Sequence, residues 1–155
     1  MPDLKSTLYR IEKFKAEHID TFDVREEIYS EILFFKKNKD LQALWQYKLP
    51  ILTLFYKDKP ILIYGMQSAG TGTYFPMAYA GKGIDKHKFA VVRCIYDYAD
   101  KFVGNDVRRF EASVDALDKK ANRFVRFFGM EPIGIRRQAT LDGNDQIIYE
   151  RLWRK

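Results

Sequence analysis

The runs Ile51-Leu52-Thr53-Leu54-Phe55-Tyr56 and Ile61-Leu62-Ile63-Tyr64-Gly65-Met66, joined by Lys57-Asp58-Lys59-Pro60, constrain the fold more than any other part of the chain. Short apolar runs bounded by turn residues read as a β-hairpin. Strands so nearly continuous in apolar character belong at the centre of a sheet, covered on both faces.

The neighbouring segments supply the cover. Leu8 to Phe14 reads as a strand by its alternation and aromatic content. From Glu17 onward the pattern turns helical, with Ile19, Phe22, Ile28, Ile32 and Phe35 on an apolar face. Asn38-Lys39-Asp40 interrupts it, and Leu41 to Tyr47 reads as a short helix that must stop before Pro50. A third strand, Thr73 to about Ala78, follows the turn Ser68-Ala69-Gly70-Thr71-Gly72. Beyond it, Phe89, Val92, Ile95 or Tyr96, Ala99 and Phe102 mark a helix face closed by Gly104. A strand from Arg109 to Val114, a helix striped by Leu117, Ala121, Phe124 and Phe128, and a hairpin of Ile133–Thr140 with Gln146–Leu152 complete the chain. The expected class is α/β (α+β): a mixed, mostly antiparallel sheet flanked by helices.

Size and composition narrow the chemistry. With 155 residues, 46% of them apolar and 31% charged, the chain is sized for one folded domain, residues 1–155. One cysteine and two histidines cannot build a disulfide framework or a Cys/His zinc site, and Cys94 sits in an apolar helical pattern as a small hydrophobe. No run has the length of a membrane span, and Met1-Pro2-Asp3-Leu4-Lys5 lacks the apolar stretch of a secretory signal, so a cytoplasmic location is expected. A net charge of +6 and a pI near 9.3 favour an anionic partner without choosing among nucleotide cofactor, nucleic acid and acidic protein surface.

One stretch offers an anion a seat. Ala80-Gly81-Lys82-Gly83-Ile84-Asp85-Lys86 lies between the third strand and the helix of Phe89 to Phe102. Glycines permit backbone conformations that side chains forbid, and the first turn of a helix leaves N–H groups without intrahelical partners. Phosphate is the usual guest of such a turn, although lysine and glycine are also ordinary surface-turn residues.

The element order and this turn resemble the GCN5-related N-acetyltransferase (GNAT) superfamily over nearly the whole chain. Gly81-Lys82-Gly83-Ile84 and Lys86 match the family's common loop sequence Arg-Gly-Lys-Gly-Ile-Gly-Lys. Ala121-Asn122-Arg123-Phe124-Val125-Arg126-Phe127-Phe128-Gly129-Met130 is similar to its second signature, Ala-x-x-Phe-Tyr-x-x-x-Gly-Phe. The resemblance implies acetyl-CoA as cofactor, with its pyrophosphate on Gly81, Lys82, Gly83, Ile84, Asp85 and Lys86 and its pantetheine arm beside the strand near Ala78. It implies acetyl transfer to an amine of a small molecule or a protein.

Three departures bear on activity. Ala80 stands at the family's Arg/Gln position, and Asp85 adds a carboxylate where phosphates would approach, or caps the helix instead. Val125 occupies the place of the tyrosine that protonates the departing thiolate, so an acid must come from elsewhere, for example Tyr79, Tyr96 or water. Glu31, Glu111, Asp115 and His18 are candidate bases that the sequence does not rank, and catalysis stays open.

A narrower resemblance, carried by Glu17–Glu27, the apolar hairpin, the altered loop and Arg123–Met130, is to small acetyltransferase-fold proteins of tailed bacteriophages, internal virion proteins among them. It implies a host-cytoplasmic or virion location, a phage or host protein partner, and an alternative role as a non-catalytic interaction protein. His18, Asp23, Arg25 and Glu26 in that stretch are expected to be exposed helical residues. Arg108, Arg109, Lys119, Lys120, Arg123 and Arg126 form a basic set without a nucleic-acid recognition motif, and a solvated face is the expected reading.

Overall fold

The apolar hairpin is the middle of the first half of the sheet. The computed structural model describes residues 8–153, and the reading of Met1–Lys5 lies outside them. Strand β1 (Tyr9–Lys13) pairs antiparallel with β2 (Leu52–Tyr56), which pairs antiparallel with β3 (Lys59–Ser68). The turn between β2 and β3 is tighter than the sequence suggests, because Lys57 and Asp58 both take positive φ, 48° and 62°. That is the backbone twist a two-residue hairpin requires, and it frees Pro60 to enter the strand. From Pro60 to Gly65 every residue of β3 is buried, as its composition demands.

β4 (Thr73–Ala80) follows β3 in a seven-stranded sheet of order β1-β2-β3-β4-β5-β7-β6, with β5 (Arg109–Asp115), β6 (Glu131–Arg136) and β7 (Gln146–Leu152) completing it. β5 and β7 are antiparallel, as are β6 and β7, while β4 and β5 are parallel and pair at Thr73 with Arg109 and Tyr74 with Phe110. The sheet is therefore mixed and mostly antiparallel. The described residues pack as two compact units, one holding the chain up to Met66 with Met77–Val103, the other Gln67–Pro76 with the chain from Gly104 onward.

In the first unit, α1 (Tyr29–Lys37), α2 (Lys39–Ala43) and a π-helical turn at Leu44–Lys48 bury Ile32, Phe35 and Trp45 with Phe14, Ile19, Phe22, Ile28, Ile51 and Ile63. The apolar periodicity named the right core residues here but implied a helical region continuous from Glu17. It is broken: 3₁₀ turns at Ala16–Ile19 and Glu26–Ile28 flank a non-helical stretch around Asp23. The break lets Asp23 use its carbonyl to accept the Lys82 N–H at 2.9 Å, a bond no helix interior could offer.

Helix α3 (Lys88–Phe102) starts later than the expected Asp85, after a 3₁₀ turn at Ile84–His87. Its buried face is Ala90, Val91, Cys94 and Tyr98, whereas Phe89 and Tyr96 are 71% and 53% exposed. The buried face is thus rotated from the expected one of Phe89, Val92, Ile95 or Tyr96, Ala99 and Phe102, and it includes Tyr98. Its hydroxyl donates to the Pro50 carbonyl at 2.6 Å and accepts from the Met66 N–H at 3.0 Å, so burial leaves it satisfied. Cys94 is a core residue as expected, and burial pushes its thiol up to about 11.

In the second unit α4 (Lys119–Phe127) is capped by Asp118, whose carboxylate accepts the Ala121 N–H at 3.0 Å. Leu117, expected on the core stripe, lies before this cap and is 69% exposed. Tyr149 of β7 is fully buried, and its hydroxyl donates to Asn122 of α4. Arg126 reaches the same hydroxyl at 3.4 Å and lies 5.7 Å from the ring centroid, so it is tied to the fold rather than free for an anion. Arg109 is likewise engaged, by Glu111 and by Glu150. Among the described residues no helix is long and apolar enough to cross a membrane, and no group of His, Cys, Asp and Glu is placed to hold a metal ion.

Candidate cofactor site

The strand β4 runs straight into the glycine turn. Gly81 donates to the Ile61 carbonyl at 2.9 Å, extending the contact with β3, and Lys82 donates to the Asp23 carbonyl. A Cβ at Gly81 would lie 3.2 Å from Asp23 O and 3.4 Å from Ile61 O, so a side chain there would crowd two backbone carbonyls. Gly83 serves differently. It holds the left-handed conformation, φ 73° and ψ 10°, with open space around the position of a Cβ. The buried Arg25 secures the start of the loop by donating from Nε to the Ala80 carbonyl at 3.1 Å.

The loop amides are largely engaged inside the protein. Besides Gly81 and Lys82, the Ile84 N–H donates to the Gly81 carbonyl at 3.3 Å and the Lys86 N–H to the Gly83 carbonyl at 3.0 Å. What the loop presents outward is side chains. With Tyr9, Asp23, Tyr56, Lys59, Pro60, Ile61 and His87, residues Gly81, Lys82, Gly83 and Lys86 line a cleft of about 400 Å³. Lys59 Nζ lies 3.4 Å from Asp23 Oδ2. Tyr9 Oη and His87 Nδ1 are 2.7 Å apart, and the ring centroids of Tyr56 and His87 are 4.6 Å apart. Burial, and then the charge of Lys86, lower the His87 pKa, so this imidazole is neutral at pH 7.

The other candidate residues are distributed. Ala78 is exposed on β4, while Tyr79 faces the helices, stacked on Trp45 at 5.4 Å. Burial and the nearby Glu31 carboxylate hold the Tyr79 phenol well above its usual pKa, which makes it a poor acid. Glu111 is paired with Arg109. Asp115 accepts the Leu117 N–H at 2.9 Å and an Asn144 amide N–H at 3.1 Å, work that belongs to the turn before α4.

His18 and Arg25, expected on an exposed face, are 6% and 8% exposed. His18 Nδ1 accepts the Lys15 N–H at 3.3 Å and lies 2.9 Å from Thr53 Oγ1, with Nε2 3.6 Å from Glu12. Since Nδ1 accepts a backbone proton, protonating it would break that bond, and burial lowers the His18 pKa. A histidine with a depressed folded pKa contributes stability that is complete above its unfolded pKa, about 6.5. That stability is lost as pH falls toward the folded value. Urea unfolding at several pH values between 7.5 and 5 should therefore show stability falling on acidification, and His18→Gln should flatten the slope by up to about 1.4 kcal/mol per pH unit. Parallel slopes for the two proteins would show that His18 protonates without cost.

No protein-family model and no curated protein sequence matches the chain. Solved structures do. An N-acetyltransferase of Staphylococcus aureus superposes with a TM-score of 0.64 at 16% identity, covering 93% of this chain and 98% of its own. The microcin self-immunity acetyltransferase MccE, solved with acetyl-CoA and AMP, gives 0.61 at 17% identity over 96% and 94%. A Salmonella typhimurium acetyltransferase that modifies the N-terminal serine of a ribosomal protein gives 0.60 at 16% over 96% and 97%. This chain has the GNAT acetyltransferase fold. Within that GNAT fold the Gly81–Lys86 turn joins β4 to α3, as the loop resemblance implied. Tyr9, Tyr56 and Lys59 come together through strand pairing, Tyr9 and Lys59 each opposite Tyr56, which no local motif announces, whereas His87 follows the turn directly in sequence.

Proposed function

We propose that this protein is an acyl-CoA-dependent N-acyltransferase that moves an acetyl group to an amine, with the cofactor phosphates at Gly81, Lys82, Gly83, Ile84, Asp85 and Lys86 and the pantetheine arm along β4 at Ala78. The observation that carries the reading is the left-handed Gly83 between two exposed lysines at the β4–α3 junction of a GNAT fold. The acetyl-CoA held by MccE supports acetyl-CoA as the cofactor here. The fold would contribute by positioning: an amine held against the thioester carbonyl attacks it, and the thiolate leaves with a proton from water or an exposed acid such as Tyr96. Val125 on α4 supplies no proton, and Asp85 opposes the phosphates. These two residues favour a second reading, a non-catalytic phage virion or host-interaction protein that keeps the fold.

Thermal unfolding with acetyl-CoA separates the two, because a ligand that binds only the folded state raises its melting temperature. Saturating acetyl-CoA should raise the midpoint, Asp85→Gly should enlarge the shift, and a panel of polyamines and N-terminal peptides should reveal thiol release. No shift for either protein at millimolar acetyl-CoA would count against the acyltransferase reading and favour the non-enzymatic one.

A further inference from the structure

Strand β1 is the outer strand of the sheet, and among the described residues no strand lies beyond it. The Phe14 N–H donates to the Ile51 carbonyl, and the Leu8 carbonyl accepts the Lys57 N–H. With an unbroken antiparallel register between those bonds, Leu8, Arg10, Glu12 and Phe14 turn their backbone groups toward β2. Tyr9, Ile11 and Lys13 therefore turn theirs outward, three donors and three acceptors in a row. Such an edge is a template for another extended chain.

A cleft of about 590 Å³ adjoins this edge at the far end of α3 from the glycine turn, some fifteen helical residues or about 22 Å away. Ile11, Tyr47 and Phe102 give it an apolar wall, and Lys13, Lys48 and Lys101 ring it with charge. Among the described residues none of these lysines is paired with a carboxylate. Lys101 lies instead 5.3 Å from the Phe102 ring centroid. Glu12, the one carboxylate on the lining, is held by Arg10 at 2.9 Å and lies 3.6 Å from His18 Nε2. Lysine on an exposed edge keeps ordinary strands from pairing there, because a basic neighbour is repelled and a neutral one must desolvate the ammonium. An acidic strand meets no such barrier, so the same charge selects it.

We propose that β1 and this cleft form a docking site for an extended acidic segment of a partner protein, added to the sheet beside β1. Its apolar side chain packs against Ile11 and Tyr47, and a carboxylate two positions along reaches Lys13 and Lys101. That spacing follows from β1 itself, where alternate residues such as Ile11 and Lys13 share one face. Backbone hydrogen bonds supply the affinity and the alternate side chains the specificity. The site does not depend on the acyltransferase reading.

The probe is the fluorescein-labelled peptide Ser-Thr-Val-Thr-Glu-Thr-Val-Thr-Glu-Ser, whose valines and glutamates share one face when it is extended. It should bind the full chain saturably, and Lys13→Glu/Lys101→Glu should weaken binding about tenfold or more. Lys36→Glu/Lys37→Glu on α1 makes the same change in net charge and should weaken it less than about threefold in about 0.15 M salt. A peptide with lysine in place of both glutamates should not bind. Amide hydrogen exchange followed by NMR reads the pairing directly. The Tyr9, Ile11 and Lys13 amides should exchange fast in the free protein and become protected with the peptide, whereas Arg10 and Glu12 should be slow in both states. Should melting curves show the charge-reversed variant unfolded, the lysine peptide and the exchange pattern still decide. No saturable binding up to about 1 mM peptide, binding indifferent to the charge reversal or to the lysine peptide, or binding without protection of the three outward amides overturns the site. Protection that rises with protein concentration in the absence of peptide assigns the edge to a second copy of this chain and overturns it equally.

Discussion

Phe35→Ala should cost about 3–5 kcal/mol of stability, the usual loss when a fully enclosed aromatic ring is removed and its neighbours cannot close the gap. Phe35 is completely buried, with ring centroids 5.8 Å from Phe14, 4.8 Å from Trp45 and 6.5 Å from Tyr79. Those rings are themselves held. Trp45 stacks on Tyr79 and meets Phe14 edge-on, and each sits on a different element: Phe14 after β1, Trp45 in the π-helical turn, Tyr79 in β4. Collapse into the cavity would require at least one of these elements to shift, so the space stays open. For a chain of this length the loss corresponds to a melting temperature lower by roughly 10 °C. Phe34→Ala is the internal comparison, because Phe34 neighbours Phe35 on α1 but is 48% exposed, and its loss should stay below about 1 kcal/mol. Urea unfolding curves of both variants measure the difference directly. Equal, small losses would mean that the aromatic cluster is loosely packed.

The same contrast explains which parts of the fold were legible in the sequence. Ile28, Ile32 and Phe35 announced themselves because a helix against a core repeats its apolar contacts at fixed spacing. The β2–β3 hairpin was legible because β3 is buried on both sides and leaves no room for polar alternation. Periodicity fails where polarity and burial part company. Tyr98 is buried because its hydroxyl finds the Pro50 carbonyl, Arg25 because its guanidinium finds the Ala80 carbonyl, and Phe89 is exposed although it is apolar. None of those partners is near in sequence. The glycine turn was visible as a local pattern, whereas its hydrogen-bond state was not. Whether the Lys82 N–H points outward or to Asp23 depends on a non-helical break that interrupts an otherwise helical apolar pattern. The cleft beside it needs β1 registered on β2 to bring Tyr9 to Tyr56, information that resides in pairing rather than in any segment.

Gly83→Val should abolish stabilisation by acetyl-CoA, whereas changing Lys119, Lys120 and Arg123 of α4 together to Gln should leave it nearly intact. Gly83 sits at φ 73°, where a β-branched residue is a genuine outlier that costs roughly 1–3 kcal/mol of strain. No neighbouring atom lies within 4 Å of the added Cβ, so the substitution acts on the backbone of the turn and not by collision. The turn can relieve the strain by abandoning the left-handed conformation, which breaks the bond from the Lys86 N–H to the Gly83 carbonyl and moves Lys82 and Lys86 apart. Gly83→Ala, without the β-branch, should retain part of the ligand response. The three α4 residues are exposed, so toward a ligand at the β4–α3 turn they contribute long-range charge. Arg126 is kept in place because it packs on Tyr149, and its replacement would confound stability with binding. Removing exposed charges weakens long-range attraction that salt already screens, so the α4 variant should match the native protein at about 0.15 M salt and differ from it only at low ionic strength. Melting curves with and without acetyl-CoA, recorded at both salt concentrations, decide between the surfaces. If the α4 variant loses the shift at moderate salt while Gly83→Val keeps it, the cofactor site lies on the basic helix face and not at the β4–α3 turn.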